Sequence, residues 1–421
     1  MAQSDVAPAS VKQPVRFVDL TNQHTLAKSE LQTAILRVLN SQQFILGSEV
    51  EQCERSIASH SGAEYAIGCA SGTDALLLSL MALEIGPGDE VITSPYSFFA
   101  TASSIWRTGA QPVFADIEPD TFNLDPESVE SVLSPRTRAI VPVHLFGHCA
   151  DMDTLNTLAS AHQIPIIEDA AQAFSAEYNN RRAGSLGTLG AFSFFPTKNL
   201  GAMGDAGAIT TSDATLAKRL QRLRVHGMEP KYYHSEVGLN SRLDAIQAAV
   251  ISAKLPFIET WTQSRRDNAE QYHQLFRTHD TSPYITLPLE KPGCRHVWNQ
   301  YVIRVPQDHR DALKDHLHNE GIGCEIYYPI PLHQQPCFSK LGYREGSLPI
   351  SEQTAKESLA LPIHPDLTID QQDRVVSEIT AYFDRMQKQS RNVLRGPAYL
   401  RRVQESHPVP ENETPPSRSQ G

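Results

Sequence analysis

Between residues 65 and 167, short apolar runs alternate with stretches of helical periodicity. Tyr65–Cys69, Glu90–Thr93, Gln111–Ala115, Ala139–Val143 and Ile164–Ile167 are bounded by Gly, Pro or Asp, the pattern of buried strands. Thr73–Leu83, Ala100–Thr108, Pro126–Leu133 and Met152–Ala161 lie between them and read as helices, with Ser-Gly-Thr-Asp signalling the start of the first. Strand–helix–strand units of this length predict a large, mostly parallel sheet with helices on both faces. A further helix runs from about Leu243 to Lys254 and is ended by Pro256. Beyond it a strand (Tyr301–Val305), a helix (His309–Asn319), the Ile322–Tyr328 stretch and a helix near Ser351–Leu359 predict a smaller C-terminal α/β domain. The resulting plan is a flexible lead-in over 1–14, a large domain over 15–255, a small domain over 256–388 and a tail over 389–421. That tail mixes Arg, Ser and Pro, offers little to bury, and is expected to be disordered.

Composition narrows the classes of function. The formal net charge of −11 has the wrong sign for a surface that tracks nucleic-acid phosphates. No run of about 18 apolar residues is present, so no membrane-spanning helix is expected. The N-terminus MAQSDVAPAS has neither the basic nor the apolar region of an export signal. The six cysteines form no C-x-x-C pair, which leaves zinc and redox readings unsupported and points to reduced thiols in the cytoplasm. Asn412-Glu-Thr414 matches a glycosylation sequon and is read as chance. His144 and His148 have the spacing of a helical metal pair, but Gly147 between a strand end and His148 denies them a common helical face, so no metal site is expected.

Three segments carry candidate chemistry. Lys198 lies in the apolar, Gly-rich run Phe192-Ser-Phe-Phe-Pro-Thr-Lys198-Asn-Leu-Gly with no carboxylate nearby in sequence. A desolvated lysine there becomes a usable amine nucleophile; the plainer alternative is a surface lysine in a turn. Glu168-Asp169-Ala-Ala-Gln172 ends a strand, where open α/β sheets bind ligands, although Asp169 could equally cap a following helix. Ser71-Gly72-Thr73-Asp74 leads from strand to helix and offers backbone N–H groups to an anion, or is an ordinary N-cap. No Gly-Lys-Ser/Thr follows it. Gly184, Gly187 and Gly190 precede a strand, so they are not a dinucleotide fingerprint. Together, an anion cradle, an acid and a buried lysine are what pyridoxal 5'-phosphate requires.

The order of these pieces resembles the DegT/DnrJ/StrS family of pyridoxal-phosphate-dependent aminotransferases, most of which aminate keto-sugars attached to nucleotides. The resemblance runs from about Phe17 to Met386. It includes Phe44-Ile-Leu-Gly-Ser-Glu-Val, Ala70-Ser-Gly-Thr-Asp-Ala-Leu, Gly86-Pro-Gly-Asp-Glu-Val-Ile, Glu168-Asp-Ala-Ala-Gln, Ser193-Phe-Phe-Pro-Thr-Lys-Asn-Leu-Gly, Gly238-Leu-Asn-Ser-Arg-Leu-Asp-Ala-Ile-Gln and Tyr327-Tyr-Pro-Ile-Pro-Leu-His. It implies the type I aminotransferase fold, a homodimer with shared active sites, and L-glutamate and a nucleotide-linked keto-sugar as substrates. It also implies roles. Lys198 matches the Schiff-base lysine, Asp169 the acid that keeps the pyridine nitrogen protonated, and Gln172 the contact to the cofactor's 3-hydroxyl. Phe98 matches a ring that stacks on the cofactor, while its neighbour Phe99 suits core packing better. Gly72, Thr73 and Ser193 would hold the phosphate, with Asn240 reaching it from the partner subunit. Arg242 would hold an acidic substrate or pair with Asp244. Tyr327, Tyr328 and His333 come from a loop near the sugar; relatives acting on acidic sugars carry His where Tyr327 stands. His226 receives no role.

Three competing classes remain to be weighed. A sugar dehydratase of the same family would have His in place of Lys198. A degenerate regulatory member could have lost Lys198, Asp169 or Gln172, and all three are present. An NAD-dependent oxidoreductase needs a Gly-rich fingerprint after the first strand, and none is seen.

Overall fold

The computed structural model describes residues 13–279 and 283–394. Its large sheet has seven strands: β1 (Tyr65–Cys69), β2 (Glu90–Thr93), β3 (Gln111–Phe114), β4 (Thr137–Val141), β5 (Ile167–Asp169), β6 (Leu189–Ser193) and β7 (Gly207–Thr211). One half is ordered β1-β7-β6-β5 and the other β3-β2-β4. Parallel bridges from Ile140 to Ile166 and from Val143 to Asp169 join them. Only β7 runs antiparallel to its neighbours, so the sheet is mostly parallel.

Two strands depart from the hydropathy pattern, for one reason. Pro165 has no N–H to give to a ladder; its carbonyl instead receives Ile140 N–H, and β5 begins only at Ile167. Pro142 likewise lies beyond β4, and its carbonyl receives Asp169 N–H. The shift matters because it makes Asp169 the last residue of β5.

Each face of the sheet is covered. Helices Gly72–Ala82 and Ala214–Leu223 bring Leu76, Leu80 and Leu220 to one apolar layer. Helices Ser48–Ser61, Met152–Ala161 and Ala245–Lys254 bring Ile57, Leu155 and Ala248 to the other. Each fully buried Leu or Ile contributes about 1.5–3 kcal/mol.

A second core forms around the antiparallel pair β8 (Tyr301–Arg304) and β9 (Ser358–Leu361), where Tyr272, Tyr301, Leu313, Val375 and Ile379 are buried. Pro256 does not end helical structure here: it sits in a 3-10 turn, and a 21-residue helix, Ile258–Thr278, starts directly after it. That helix spans both cores, with Ile258 and Trp261 in the first and Ala269, Tyr272 and Phe276 in the second. Val15 also belongs to the second core and pairs with Ile322. The last helix, Ile369–Leu394, continues past 389, where the sequence pattern places the start of a disordered tail. Residues 1–12 of the expected lead-in and 395–421 of that tail, including Asn412, lie outside the described residues.

The two units are fastened by the large sheet's own side chains. Asp116, just past β3, accepts hydrogen bonds from Ile350 N–H (2.9 Å), Ser351 N–H (2.9 Å) and the Ser351 hydroxyl (2.5 Å). It thereby caps helix Pro349–Glu357, whose preceding residue Leu348 has no capping side chain. The Tyr96 hydroxyl donates to the Tyr327 carbonyl and meets Ser358 Oγ at 2.7 Å. Among the described residues, no helix is long and apolar enough to cross a membrane.

Candidate active site

A cavity of about 470 Å³ opens at the carboxyl ends of the strands and is lined by Gly72, Thr73, Phe98, Asp169, Gln172, Ser193, Lys198, Tyr327 and Tyr328. Its floor is backbone. Ser71 caps helix Gly72–Ala82 by accepting Asp74 N–H at 3.1 Å, leaving the N–H groups of Gly72 and Thr73 without acceptors in the helix. A Cβ on Gly72 would lie 2.6 Å from Ser193 Cβ, and one on Gly207 would lie 2.4 Å from the Ser71 carbonyl oxygen. The strand ends therefore press directly against the helix start, and a side chain at either glycine would fill the concavity. A backbone-lined cradle at a helix N-terminus, with the Ser193 hydroxyl beside it, fits a phosphate.

Asp169 enters from β5. Its Oδ2 accepts the Thr101 hydroxyl (2.8 Å) and its Oδ1 accepts Ala171 N–H (3.2 Å). Burial raises its pKa, while those hydrogen bonds and the Lys198 charge oppose the rise. No helix begins at Asp169; turns follow. Lys198 reaches the same cavity from the loop after β6. Burial lowers its pKa to about 8, against the pull of Asp169, so a substantial fraction of the amine is neutral near physiological pH. Lys198 and Asp169, far apart in sequence, thus line one cavity through the fold, and Asp205, seven residues after the lysine, lines it too.

Gln172 is held in one orientation. Its Oε1 accepts Phe146 N–H (2.6 Å) and its Nε2 donates to the Tyr328 hydroxyl (3.1 Å). The side chain therefore offers an N–H, and not an oxygen, to the cavity. Phe146 has a positive φ of 57°, which aims its N–H at Gln172 while its carbonyl receives Asn299 N–H at 2.9 Å. Phe98 is 61% exposed on the cavity wall, whereas Phe99 packs on Phe338 with ring centroids 5.6 Å apart. Aromatic and aliphatic walls with few, oriented polar groups suit a flat heteroaromatic ring.

Other candidates lie elsewhere. His333 is 2% exposed, holds Glu352 Oε1 at 3.1 Å and does not line this cavity. Its burial follows from the 3-10 turn Leu332–Gln334, which tucks the ring against Phe114 and Tyr343. Asn240 is exposed and Arg242 also lies outside this cavity. The alternative salt bridge from Arg242 to Asp244 does not form, and Arg242 has no ion pair among the described residues. Between them, Ser241 Oγ donates to Asp74 (2.7 Å), tying this segment to the helix start. His144 donates from Nε2 to Glu168 (2.9 Å), and His148 accepts Lys291 N–H (3.1 Å). No group of three or more metal-ligating side chains occurs among the described residues.

Thr101 and Gln300 are cavity residues that the sequence reading passes over. Thr101 carried a usable signal: it follows Phe98 by three positions at a helix start, where a hydroxyl can face the strand ends.

The model of the DegT/DnrJ/EryC1/StrS aminotransferase family matches residues 25–380. The chain is 48% identical to a "Pleiotropic regulatory protein" of Geobacillus stearothermophilus, covering 88% of this chain and 98% of that one. It is 42% identical to the UDP-2-acetamido-2-deoxy-3-oxo-D-glucuronate aminotransferase of Pseudomonas aeruginosa, covering 84% and 96%. The crystal structure of S. venezuelae DesV in complex with a ketimine intermediate matches with a TM-score of 0.85 and 42% identity, over 88% of this chain and 99% of that one.

Proposed function

Because the chain belongs to the DegT/DnrJ/EryC1/StrS aminotransferase family, we propose that it moves an amino group from L-glutamate to a nucleotide-linked keto-hexose, giving an amino sugar for glycan or polysaccharide synthesis. It is a pyridoxal-phosphate-dependent transaminase. The observation that carries the reading is the convergence of Lys198, Asp169 and the Gly72–Thr73 cradle on one cavity. Bound there, pyridoxal phosphate supplies an aldehyde carbon and an electron-withdrawing ring.

The chain's own groups do the rest. Gly72 and Thr73 N–H groups and the Ser193 hydroxyl hold the phosphate. Phe98 would cover one face of the ring, and the Gln172 N–H would meet its hydroxyl. Asp169 keeps a proton on the ring nitrogen; Thr101 and Ala171 hold its carboxylate in place. Lys198, partly neutral near pH 8, attaches the cofactor. Its free amine would serve as the general base that holds and moves a proton at the reacting carbon. Tyr327 and Tyr328 line the substrate side of the cavity.

We assign Asn240 and Arg242 to the partner's site in a homodimer; their position outside their own cavity supports this. We place the enzyme in the cytoplasm, consistent with six unpaired cysteines. In this reading residues 15–255 form the cofactor-binding unit and 256–388 the smaller one, with Val15 packed on the smaller unit and helix Ile258–Thr278 shared between them. The joint presence of Lys198, Asp169 and Gln172 speaks against a degenerate regulator, and Lys198 against the histidine-bearing dehydratases.

The test is spectroscopic. Purified protein supplied with pyridoxal phosphate develops a visible absorption band, L-glutamate abolishes it, and a nucleotide keto-sugar restores it. A band that glutamate leaves unchanged would remove glutamate as the donor.

A further inference from the structure

Besides Lys198, which is half-buried at the cavity, this unit holds a lysine that is almost wholly buried. Lys254, the last residue of helix Ala245–Lys254, is 3% exposed. Burial lowers its pKa to about 8, and no carboxylate pairs with it among the described residues. Its Nζ donates to the Gly201 carbonyl at 2.7 Å and to His24 Nε2 at 3.3 Å. A buried amine without a counter-ion is expensive, and an apolar residue of similar volume would serve packing better.

Gly201 lies in the loop that carries Lys198, between strands ending at Ser193 and starting at Gly207. That loop is drawn tight: Lys198 N–H bonds the Phe195 carbonyl (2.9 Å), Ala202 N–H bonds the Phe194 carbonyl (2.8 Å), and a Cβ on Gly201 would lie 2.3 Å from the Pro196 carbonyl oxygen. The same helix grips the loop a second time. Gln247, seven residues before Lys254 and so on the same helical face, accepts Met203 N–H at 2.8 Å and donates to the Met203 carbonyl at 3.3 Å.

We propose that Lys254 and Gln247 are positioning residues which clamp the 198–203 loop and so fix where the Lys198 amine stands relative to Asp169 and the phosphate cradle. This rests on the assignment of Lys198 as the cofactor lysine. Neither side chain touches the cofactor; each acts through the loop backbone. Lys254 holds one carbonyl three residues beyond Lys198, and Gln247 holds both the N–H and the carbonyl of Met203, two residues further on. Releasing either hold lets the amine wander from its reacting distance, where a shift of about 1 Å is costly.

The experiment compares holoenzymes of wild type, Lys254→Met, Lys254→Arg and Gln247→Leu by three measurements: release of pyridoxal phosphate followed by absorbance, the rate at which saturating L-glutamate bleaches the visible band, and melting temperature. Lys254→Met is expected to release cofactor about tenfold faster and to bleach about tenfold more slowly, with the glutamate concentration at half-saturation unchanged. Lys254→Arg, which keeps a donor, should recover most of both. Gln247→Leu should move in the same direction by a smaller factor, and carries the test if Lys254→Met fails to fold. Wild-type release and bleaching rates in the folded variants, whatever their melting temperatures, would overturn the proposal. A wild-type protein that takes up no pyridoxal phosphate on Lys198 would overturn both this proposal and the reading beneath it.

Discussion

Glu168 and Asp169 are consecutive carboxylates at the end of β5, both buried, and they face opposite sides of the strand. Glu168 is saturated. Its Oε2 accepts His144 Nε2–H (2.9 Å) and Gly184 N–H (2.7 Å), and its Oε1 accepts Leu186 N–H (2.8 Å) and Gly187 N–H (2.7 Å). The His144 proton is assigned to Nε2 because Nδ1 accepts Ala150 N–H at 3.2 Å. Asp169 has two donors, an open side toward the cavity, and the opposing charge of Lys198 acting on it. The same side-chain chemistry, displaced by one residue, becomes a rivet on one face and a reagent on the other. The difference lies in how many donors the fold spends on each carboxylate.

That contrast can be broken from either side. The largest effect is expected from Asp169→Asn, which keeps the shape but removes the charge. The rate of the glutamate half-reaction should fall on the order of a thousandfold with little change in melting temperature. Glu168→Ala should do the reverse. It strands four buried donors and is expected to cost about 3–5 kcal/mol, read as a fall in melting temperature and in the denaturant midpoint. A folded Glu168→Ala protein with wild-type stability would show that the turn around Gly184 does not depend on that carboxylate.

The smallest effect sharpens the comparison. Thr101→Val removes one donor from Asp169. Burial already raises the Asp169 pKa, and the Thr101 hydroxyl opposes that rise. A carboxyl whose folded pKa is raised takes up its proton more readily folded than unfolded. Its ionised form is therefore lost as pH falls through the raised value. Without Thr101 that value climbs further, so the acid limb of the pH–rate profile should move to higher pH. An unmoved limb would mean that the bond is not made in the working enzyme.

Much of this was legible in the residues. Short runs of five and four residues located β1 and β2 because nothing within them interrupts a ladder. Pro142 and Pro165 moved β4 and β5 because the pattern counts apolarity and ignores the missing N–H. The helix Ile258–Thr278 escaped because its buried stripe includes Thr262 and Arg265; Arg265 is buried to serve the Trp298 and Ile363 carbonyls. Lys198, Asp169 and Gln172 were marked by their motifs, which recruit side chains close in sequence. The donors that set Asp169 and Gln172 in place, Thr101 and the Phe146 peptide, come from distant strand ends that only the sheet order brings together. The placement of the His333 ring against Phe114 and Tyr343 was not legible, because a motif states its neighbours in the chain and not which way a short 3-10 turn points the ring.

The capping of helix Pro349–Glu357 by Asp116 has a kinetic side. The two partners are 235 positions apart along the chain, so the cap exists only after a long loop has closed, and closure entropy must be met before the bond repays it. The first turn of that helix is thus a late-forming element whose order depends on the large sheet being complete. Amide exchange at Ile350 and Ser351 then reports how often the two units separate, independently of the intrinsic stability of the helix.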